Sequence, residues 1–236
     1  MPHPWLQGIS QALRTVPSQC AICHAWPAQR LCDDCVRRFA RQRPRCRTCA
    51  LAVPEGVAHC GACLHHPNGL DACHAAVDYG YPWSGVLQAF KFRGDPGWAG
   101  ALATLLRSTP WVEPALEAAE LVLPIPLAPQ RLRMRGFNQA QLLAQALAPT
   151  RVQAGLLLRT HDTPAQSGLD RTQRLRNLAR AFAVEPLRAA QLAGRQVLLV
   201  DDVMTTGATL QAAATVLRQA GAARVTALVL ARTPQD

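Results

Sequence analysis

The stretch Val197-Leu-Leu-Val-Asp-Asp-Val-Met-Thr-Thr-Gly-Ala-Thr209 decides the fold of this chain. Its first four residues are all apolar, a pattern typical of a short strand that is buried on both faces of a parallel sheet. Two carboxylates, Asp201 and Asp202, stand where that strand is expected to end. A loop of small and hydroxylated residues follows and leads into residues 208–220, which have the spacing of a helix. The stretch therefore predicts a strand, a loop and a helix of an α/β fold.

The two carboxylates and the loop together predict a ligand. Ionised carboxylates only accept hydrogen bonds, so their natural partners are hydroxyl donors such as a cis-diol, or a cation. The start of a helix favours an anion such as phosphate, because its first backbone N–H groups have no partner within the helix. A ribose 5-phosphate carries both a diol and a phosphate and fits both parts. The alternative is an ordinary helix cap beside a solvated strand end.

Of two other phosphate-binding motifs, the P-loop is excluded and the dinucleotide-binding fingerprint is unsupported. A P-loop needs the pattern G-x4-G-K-[ST], but the only lysine, Lys91, lies in Phe90-Lys-Phe-Arg-Gly94 with no such loop before it. The G-x-G-x-x-G pattern of dinucleotide-binding folds does not occur either. Because every other strong base is arginine, Lys91 suggests a site that needs a compact ammonium against a phosphate oxygen or an active-site acid. Chance retention of this lysine is the alternative.

Strands and helices alternate along the rest of the chain. Residues 72–81 are expected to form a strand pair or hairpin. Further strands are expected at 121–125, 156–158, 196–200 and 224–231, and helices at 82–92, 98–107, 139–148 and 208–220. This order predicts an α/β domain with a mainly parallel central sheet, whose binding crevice lies at the carboxyl ends of the strands.

The cysteines predict a separate metal-binding region. Eight of the nine form four C-x2-C pairs, namely Cys20/Cys23, Cys32/Cys35, Cys46/Cys49 and Cys60/Cys63. Two such pairs complete a closed tetrahedral shell of thiolates around zinc, which is structural rather than catalytic. We expect two structural Zn2+ sites, paired in sequential order, in a zinc-ribbon domain at residues 1–68 that precedes a main domain at 69–236. A cross-braced order, a single zinc site with free thiols, and disulfide or redox use are the alternatives.

Composition bounds the class of protein and of partner. Hydrophobic residues make up 49% of the 236, which excludes a disordered chain. The formal charge is +10, from 25 bases and 15 acids, and predicts an anionic partner. Nine arginines against two acids lie within residues 131–180, so the partner is expected to bind there first. With no apolar run of membrane-spanning length and no signal-peptide pattern, we expect a cytoplasmic protein without membrane insertion.

At this point the motifs carry a family resemblance. Residues 197–209 resemble, at every position, the signature of type I phosphoribosyltransferases that binds 5-phosphoribosyl 1-diphosphate (PRPP). The order of the remaining motifs resembles the ComF/GntX family of competence-type proteins. These motifs are the four C-x2-C pairs, residues 90–94, Pro124-Ile-Pro-Leu127 leading to Arg131-Leu-Arg-Met-Arg-Gly-Phe-Asn-Gln139, and Thr163-Pro-Ala-Gln166 leading to residues 171–178.

The resemblance implies a role for each matching residue. Asp201 and Asp202 would hold the ribose hydroxyls, and the loop Thr205, Thr206, Gly207, Ala208 and Thr209 would hold the 5′-phosphate. Arg131, Arg133 and Arg135 would face the leaving pyrophosphate together with Mg2+, so that Asp201, Asp202, Arg131 and Arg135 form the expected catalytic set. A hood over the acceptor is expected at about 160–182, with Gln166, Arg174 and Asn177 facing the acceptor.

The resemblance also implies a function. It predicts a PRPP-binding, phosphoribosyltransferase-like protein that acts in natural competence and handles incoming single-stranded DNA, with competence proteins as partners. The alternative is a housekeeping phosphoribosyltransferase that acts on a small acceptor and has no role with DNA. Which acceptor it uses does not follow from the motifs.

Overall fold

The computed structural model describes residues 18–65, 69–92, 95–160 and 181–235. The chain divides into two compact units, Met1–Arg41 and Gln42–Asp236. The expected acceptor-facing residues Gln166, Arg174 and Asn177 lie outside the described residues, as does most of the expected hood.

The smaller unit contains one helix in its described part, α1 (Asp33–Phe39). The larger unit contains the remaining elements in the order that follows. They are α2 (Gly61–His65), β1 (Ala72–Asp78), α3 (Trp83–Phe92), α4 (Trp98–Arg107), α5 (Val112–Ala118), β2 (Leu121–Pro124), α6 (Pro129–Arg135), α7 (Gln139–Leu147), β3 (Leu157–Arg159), β4 (Phe182–Val184), a 3-10 helix (Pro186–Leu192), β5 (Gln196–Met204), α8 (Ala208–Gln219) and β6 (Arg224–Arg232).

The central sheet of the larger unit is parallel. Its strands lie in the order β1-β6-β5-β2, and each neighbouring pair runs in the same direction. Strands β5 and β6 hold the middle of the sheet and are buried along most of their length, as their uninterrupted apolar runs require. The predicted α/β class with a mainly parallel central sheet is therefore confirmed. A separate antiparallel pair is formed by β3 and β4.

Two expectations for individual strands were wrong. Residues 72–81 do not form a hairpin: β1 is a single strand at the sheet edge that pairs only with β6 among the described residues. Strand β5 does not end at Val200 but continues through both carboxylates to Met204. It continues because β6 pairs with it as far as Arg232, so the backbone of Asp201 and Asp202 stays within the ladder.

The second cysteine group is part of the larger unit. Cys46 and Cys49 are buried in the same apolar cluster as Cys73, Leu199 and Leu210 of the α/β layers. Compact packing therefore separates the chain after Arg41, whereas the boundary predicted from composition lies after residue 68. The reason is that residues 45–50 are bound to the sheet by hydrogen bonds, of which the Cys73 N–H to the Arg47 carbonyl, at 2.8 Å, is one.

The described helices are all too short or too polar to cross a bilayer.

Candidate functional site

The carboxyl end of β5 places two carboxylates side by side. Asp202 is buried, with 8% of its surface exposed, and Asp201 is half-buried. The backbone N–H of Asp202 donates to Oδ1 of Asp201 at 2.8 Å, which fixes the Asp201 side chain. Adjacent buried acids need a compensating donor or cation, and the structure supplies one.

That cation is Lys91, in the last turn of α3. Its Nζ lies 2.9 Å from Oδ1 of Asp202, and both side chains are largely shielded from solvent. Phe90, the residue before it, is buried and its ring lies 6.1 Å, centroid to centroid, from that of Phe137. This contact joins two motifs that are far apart in the sequence and holds Lys91 at the tip of β5. The hypothesis that Lys91 faces an acid at this site agrees with the geometry.

The Asp201 carboxyl is a weaker acid than an ordinary aspartate. Burial raises its pKa to about 7, and the charge of Asp202 acts in the same direction. The Asp202 backbone N–H and the charges of Lys91 and Arg159 oppose this effect only in part. Near neutral pH this carboxyl is therefore present in both its protonated and its ionised form, and perturbed pKa values of this kind cluster at functional sites.

Replacing Asp201 with asparagine should stabilise the protein, and increasingly so as the pH rises. Because the pKa is raised on folding, the folded state holds an extra proton between about pH 4 and pH 7, so stability falls as pH rises through that window. Asparagine removes this penalty, and we expect the melting temperature above neutral pH to rise by on the order of 5 °C. Thermal unfolding of both proteins across the window measures it. Glu117→Gln, at an exposed carboxylate, is the control, and parallel curves for the parent and Asp201→Asn would contradict the assignment.

The loop after β5 turns directly into α8. Thr205 and Thr206 are exposed, and Gly207 adopts the left-handed region with φ of 85° as the N-cap of the helix. A Cβ at Gly207 would lie 2.4 Å from Cε of Met204. Glycine adopts this conformation without strain, and the resulting turn leads the loop into the N-terminus of the 12-residue α8. There the backbone N–H groups and the helix dipole favour an anion.

A buried arginine holds this loop from behind. Arg232, at the end of β6, has 2% of its surface exposed. Its Nη1 donates to the carbonyls of Met204 at 3.2 Å and of Thr205, and its Nε donates to the Cys49 carbonyl at 2.9 Å. One side chain thus ties the loop to the second cysteine group.

The arginines expected to face pyrophosphate lie on α6. This seven-residue helix begins at Pro129 and ends at Arg135, and its C-cap, Gly136, has a φ of 78°. Asn138 then caps α7 and donates its Nδ2 to the Ile125 carbonyl at 3.0 Å, which fixes the segment against the end of β2. Arg131 and Arg133 are exposed and Arg135 is half-buried.

Arg135 belongs to the same electrostatic site as the two acids. Its guanidinium carbon lies 4.9 Å from the centroid of the Phe92 ring, and its Nη1 donates to Oε1 of Gln139 at 3.1 Å. Burial lowers the pKa of Arg135, the charge of Arg131 acts in the same direction, and the charges of Asp202 and Asp201 oppose it. The end of β5, the end of α3 and the helix α6 therefore converge on one crevice.

Replacing Lys91 with arginine should weaken the binding of PRPP roughly tenfold, because a planar guanidinium does not fit where a compact ammonium contacts Asp202. Lys91→Met should weaken it further, because it leaves Asp202 buried without a counter-charge. Calorimetric titration with Mg-PRPP measures both variants. Gln88→Ala, at an exposed position on the same helix, is the control; parental affinity in Lys91→Arg would show that any base serves at this position.

The eight paired cysteines form two groups that could hold metal ions. The groups are Cys20, Cys23, Cys32 and Cys35 in the smaller unit, and Cys46, Cys49, Cys60 and Cys63 in the larger one, with the ligand atoms of each group within 4.8 Å of one another. The cysteines are thus grouped in the sequential order that the sequence favoured. The Sγ atoms of Cys23 and Cys32, and of Cys49 and Cys60, are 3.6 Å apart, close to the separation of about 3.8 Å that tetrahedral thiolates around zinc require.

Cysteine acidity agrees with a role in binding metal. Burial raises the thiol pKa of Cys20 and of Cys46, but backbone hydrogen bonds outweigh it and lower each pKa to about 6. Burial and the neighbouring thiols raise the pKa of Cys35 and of Cys63, so each group contains one thiolate that forms readily and other thiols that would lose their protons only on binding a metal. Together the two groups fit a double zinc ribbon.

Two site residues were not anticipated from the sequence. Arg159, at the end of β3, acts on Asp201 and lies with its guanidinium carbon 5.4 Å from the Phe182 ring centroid. Arg232 supports the loop from the core. Arg159 is the last residue of a three-residue strand and Arg232 is the last residue of an apolar one, and neither position stands out in a sequence with 24 arginines.

Comparison with known proteins agrees with this geometry. Residues 133–236 match the phosphoribosyl transferase domain model. The chain is 32% identical over 233 residues to the DNA utilization protein YhgH of Escherichia coli O6:H1, covering 93% of this chain and 99% of that protein. It is 33% identical to competence protein F of Haemophilus influenzae over 86% of this chain and 90% of that protein. It is 36% identical to competence protein ComFC of Bacillus subtilis over 63% and 59%. The parallel sheet, the loop after β5, the two cysteine groups and the similarity to the first two of these relatives over most of their length show that the chain belongs to the ComF family of competence and DNA utilization proteins, with a type I phosphoribosyltransferase domain.

Proposed function

We propose that this protein binds PRPP in the crevice at the end of β5 and transfers its phosphoribosyl group to an acceptor. The observation that carries the proposal is the adjacency of the Asp201/Asp202 pair to the loop 205–209 at the start of α8. The carboxylates accept hydrogen bonds from the 2′ and 3′ hydroxyls, and the loop N–H groups donate to the 5′-phosphate. A single ligand thereby bridges the two adjoining features.

The charges around the crevice suit the chemistry of transfer. Displacement at the anomeric carbon breaks its bond to pyrophosphate and forms a bond to the acceptor, so negative charge builds on the leaving group. Arg135 and Arg131 supply guanidiniums that stabilise this charge, and no side-chain nucleophile is required. Mg2+, bound with PRPP, would neutralise further phosphate charge, and oxygen ligands such as the nearby carboxylates suit it. Gln166, Arg174 and Asn177 are proposed to face the acceptor.

The two cysteine groups are proposed to hold structural Zn2+. Four thiolates leave no open coordination position, so the ions stabilise the fold and take no part in transfer. The proposed domain assignment keeps residues 1–68 as the zinc-ribbon region and 69–236 as the phosphoribosyltransferase region.

The names of the relatives support a role with DNA. Proteins named for competence and for DNA utilization share most of the length of this chain. We therefore infer that the protein acts in the cytoplasm on incoming single-stranded DNA, together with competence proteins. Its basic balance of +10 suits a nucleic-acid partner.

Pyrophosphate release tests the transfer. The protein is incubated with Mg-PRPP and a panel of nucleobases, nucleosides and single-stranded oligonucleotides, and release that depends on one acceptor supports the proposal. Release with a small base alone, together with unchanged transformation in cells that carry Asp201→Asn, would favour the housekeeping alternative. No release with any acceptor would reduce the function to PRPP binding.

A further inference from the structure

A second basic site lies at the opposite end of the sheet. A groove of about 1120 Å3 is lined by the first residues of β1, β5 and β6, among them His74, Gln196 and Arg224. Because the strands are parallel, their amino ends lie at the edge opposite to the Asp201/Asp202 crevice. The groove also borders residues 42–47, next to the second cysteine group, and the residues around the start of α5. All of these residues belong to the larger unit.

The lining of the groove is positively charged. Four arginines contribute to it, Arg43, Arg45, Arg47 and Arg224, against one acid, Asp71. Asp71 is already bound by Arg218 and by the Val225 N–H. Asp78 binds both Arg43 and Arg45, at 2.9 and 2.8 Å, and thus cancels only one of those two charges.

Two guanidiniums of the groove have no carboxylate partner within the described part of the chain. Arg47 and Arg224 are exposed, and no carboxylate of the described residues forms an ion pair with either. The pKa of His74 reflects this positive charge. Burial lowers the pKa, and the charge of Arg224 lowers it further. The Nε of Arg45 is buried and has no hydrogen-bond partner within the described ranges. The groove therefore offers donors and positive charge that the protein itself does not use.

An aromatic side chain stands at the same groove. Trp111 lines it, yet 72% of its surface is exposed. The residue is the N-cap of α5 and has a φ of 69°, a left-handed conformation that is costly for a bulky residue. The backbone thus holds a large indole in solvent at the groove that the arginines also line. An indole face and a track of guanidiniums are the two components of sites that bind single-stranded nucleic acid, in which bases stack and phosphates pair with arginine.

We propose that this groove, lined by Arg47, Arg224 and Trp111, binds a single strand of nucleic acid independently of the PRPP crevice. Its lining includes residues 42–47, the first residues of β1, β5 and β6, and the start of α5, which suits an extended strand. In a duplex the base faces are stacked on one another, so they are not available to stack on the Trp111 indole. The proposal deepens the proposed function: it gives the strand a site that requires no PRPP and that differs from the arginine-rich residues 131–180.

Fluorescence anisotropy with a labelled oligothymidylate of about 20 nucleotides and a 5′-hydroxyl end tests the proposal. Arg47→Gln combined with Arg224→Gln should weaken binding by roughly tenfold or more. The slope of log affinity against log salt concentration should fall by about 0.7 for each arginine removed. Trp111→Ala should weaken binding by roughly fivefold or more, and Trp111→Phe should restore most of it.

Controls separate this site from the crevice and from other occupants. Arg188→Gln removes the same charge where the guanidinium bonds Gln153 and Gln191, so it should bind the oligonucleotide like the parent. Saturating Mg-PRPP should leave oligonucleotide affinity unchanged, and the groove variants should keep the parent's affinity for Mg-PRPP. A parent that fails to bind PRPP but shows the expected groove effects would remove the proposed function and leave this inference standing.

Three results would overturn the inference. The first is parental oligonucleotide affinity in the double arginine variant. The second is displacement of the oligonucleotide by Mg-PRPP, which would place the strand in the crevice. The third is equally tight binding of polyglutamate with the same dependence on Arg47, Arg224 and Trp111, which would make the groove a docking surface for an acidic protein.

Discussion

Gly207→Val should lower the affinity for PRPP on the order of a hundredfold while the larger unit stays folded. Gly207 has a φ of 85°, and a Cβ there would lie 2.4 Å from Cε of Met204. A β-branched residue avoids the left-handed region, so the loop must rearrange and its N–H groups no longer converge on the phosphate. Calorimetric titration with Mg-PRPP measures the loss.

Gly194 provides a matched control for this variant. Its φ is 69°, but a Cβ there meets no heavy atom within 4 Å among the described residues. Gly194→Val therefore introduces comparable backbone strain in a turn that takes no part in the site. It should lower stability and leave PRPP affinity unchanged. Equal losses of affinity in both variants would show that strain alone, and not the shape of the loop, explains the effect.

Cys46→Ser should lower both the stability of the larger unit and its affinity for PRPP. A structural zinc site contributes folding free energy directly, and we expect a loss on the order of 5 kcal/mol. Cys49, in the same group, accepts a hydrogen bond from Arg232 through its carbonyl, and Arg232 also holds the carbonyls of Met204 and Thr205. Loss of metal should therefore reach the phosphate loop. Thermal unfolding and Mg-PRPP titration measure the two effects.

The first cysteine group supplies the control. Cys20→Ser removes a buried thiol from an equivalent set of four, but in the smaller unit. Loss of metal from this first group should leave PRPP affinity within about twofold of the parent. Should Cys46→Ser not fold, Arg232→Lys keeps the charge and removes the fork that joins the two parts, and should weaken PRPP binding by itself. Parental affinity in Arg232→Lys would refute the connection.

The strand, loop and helix at 196–219 were predictable because one local pattern serves both folding and binding. An apolar run long enough for a buried strand, followed by small residues before a helix, allows few alternatives. Strand β5 nevertheless continues past Val200 because β6 pairs with the backbone of both acids. That pairing depends on residues about 30 positions away, which no local pattern reveals.

Helix α6 was not predicted, although its residues favour a helix. The family resemblance assigned the arginines after Ile125 to pyrophosphate, and no helix was predicted for this segment. Pro129 at the first position and the Gln, Arg, Leu and Met residues that follow all favour a helix. The arginines of this segment suit pyrophosphate binding, and they are also good helix formers.

The groove at the amino edge was not predictable from sequence. Arg47, Trp111 and Arg224 lie far apart in the chain, and only the packing of residues 42–47 and of α5 beside the strands brings them together. Each alone reads as a surface residue in an arginine-rich chain. The charge count along the sequence instead pointed to residues 131–180, because it registers charges that are close in sequence rather than in space.

Titration of the parent and of the double variant Asp201→Asn/Asp202→Asn with Mg-PRPP tests the central claim most directly. Both asparagines keep the size of the side chains and remove the charges that accept the ribose hydroxyls. The account predicts that the parent binds one PRPP per chain and that the double variant, folded to the same degree by circular dichroism, shows no binding. Equal binding by both proteins, or none by the parent, would contradict it.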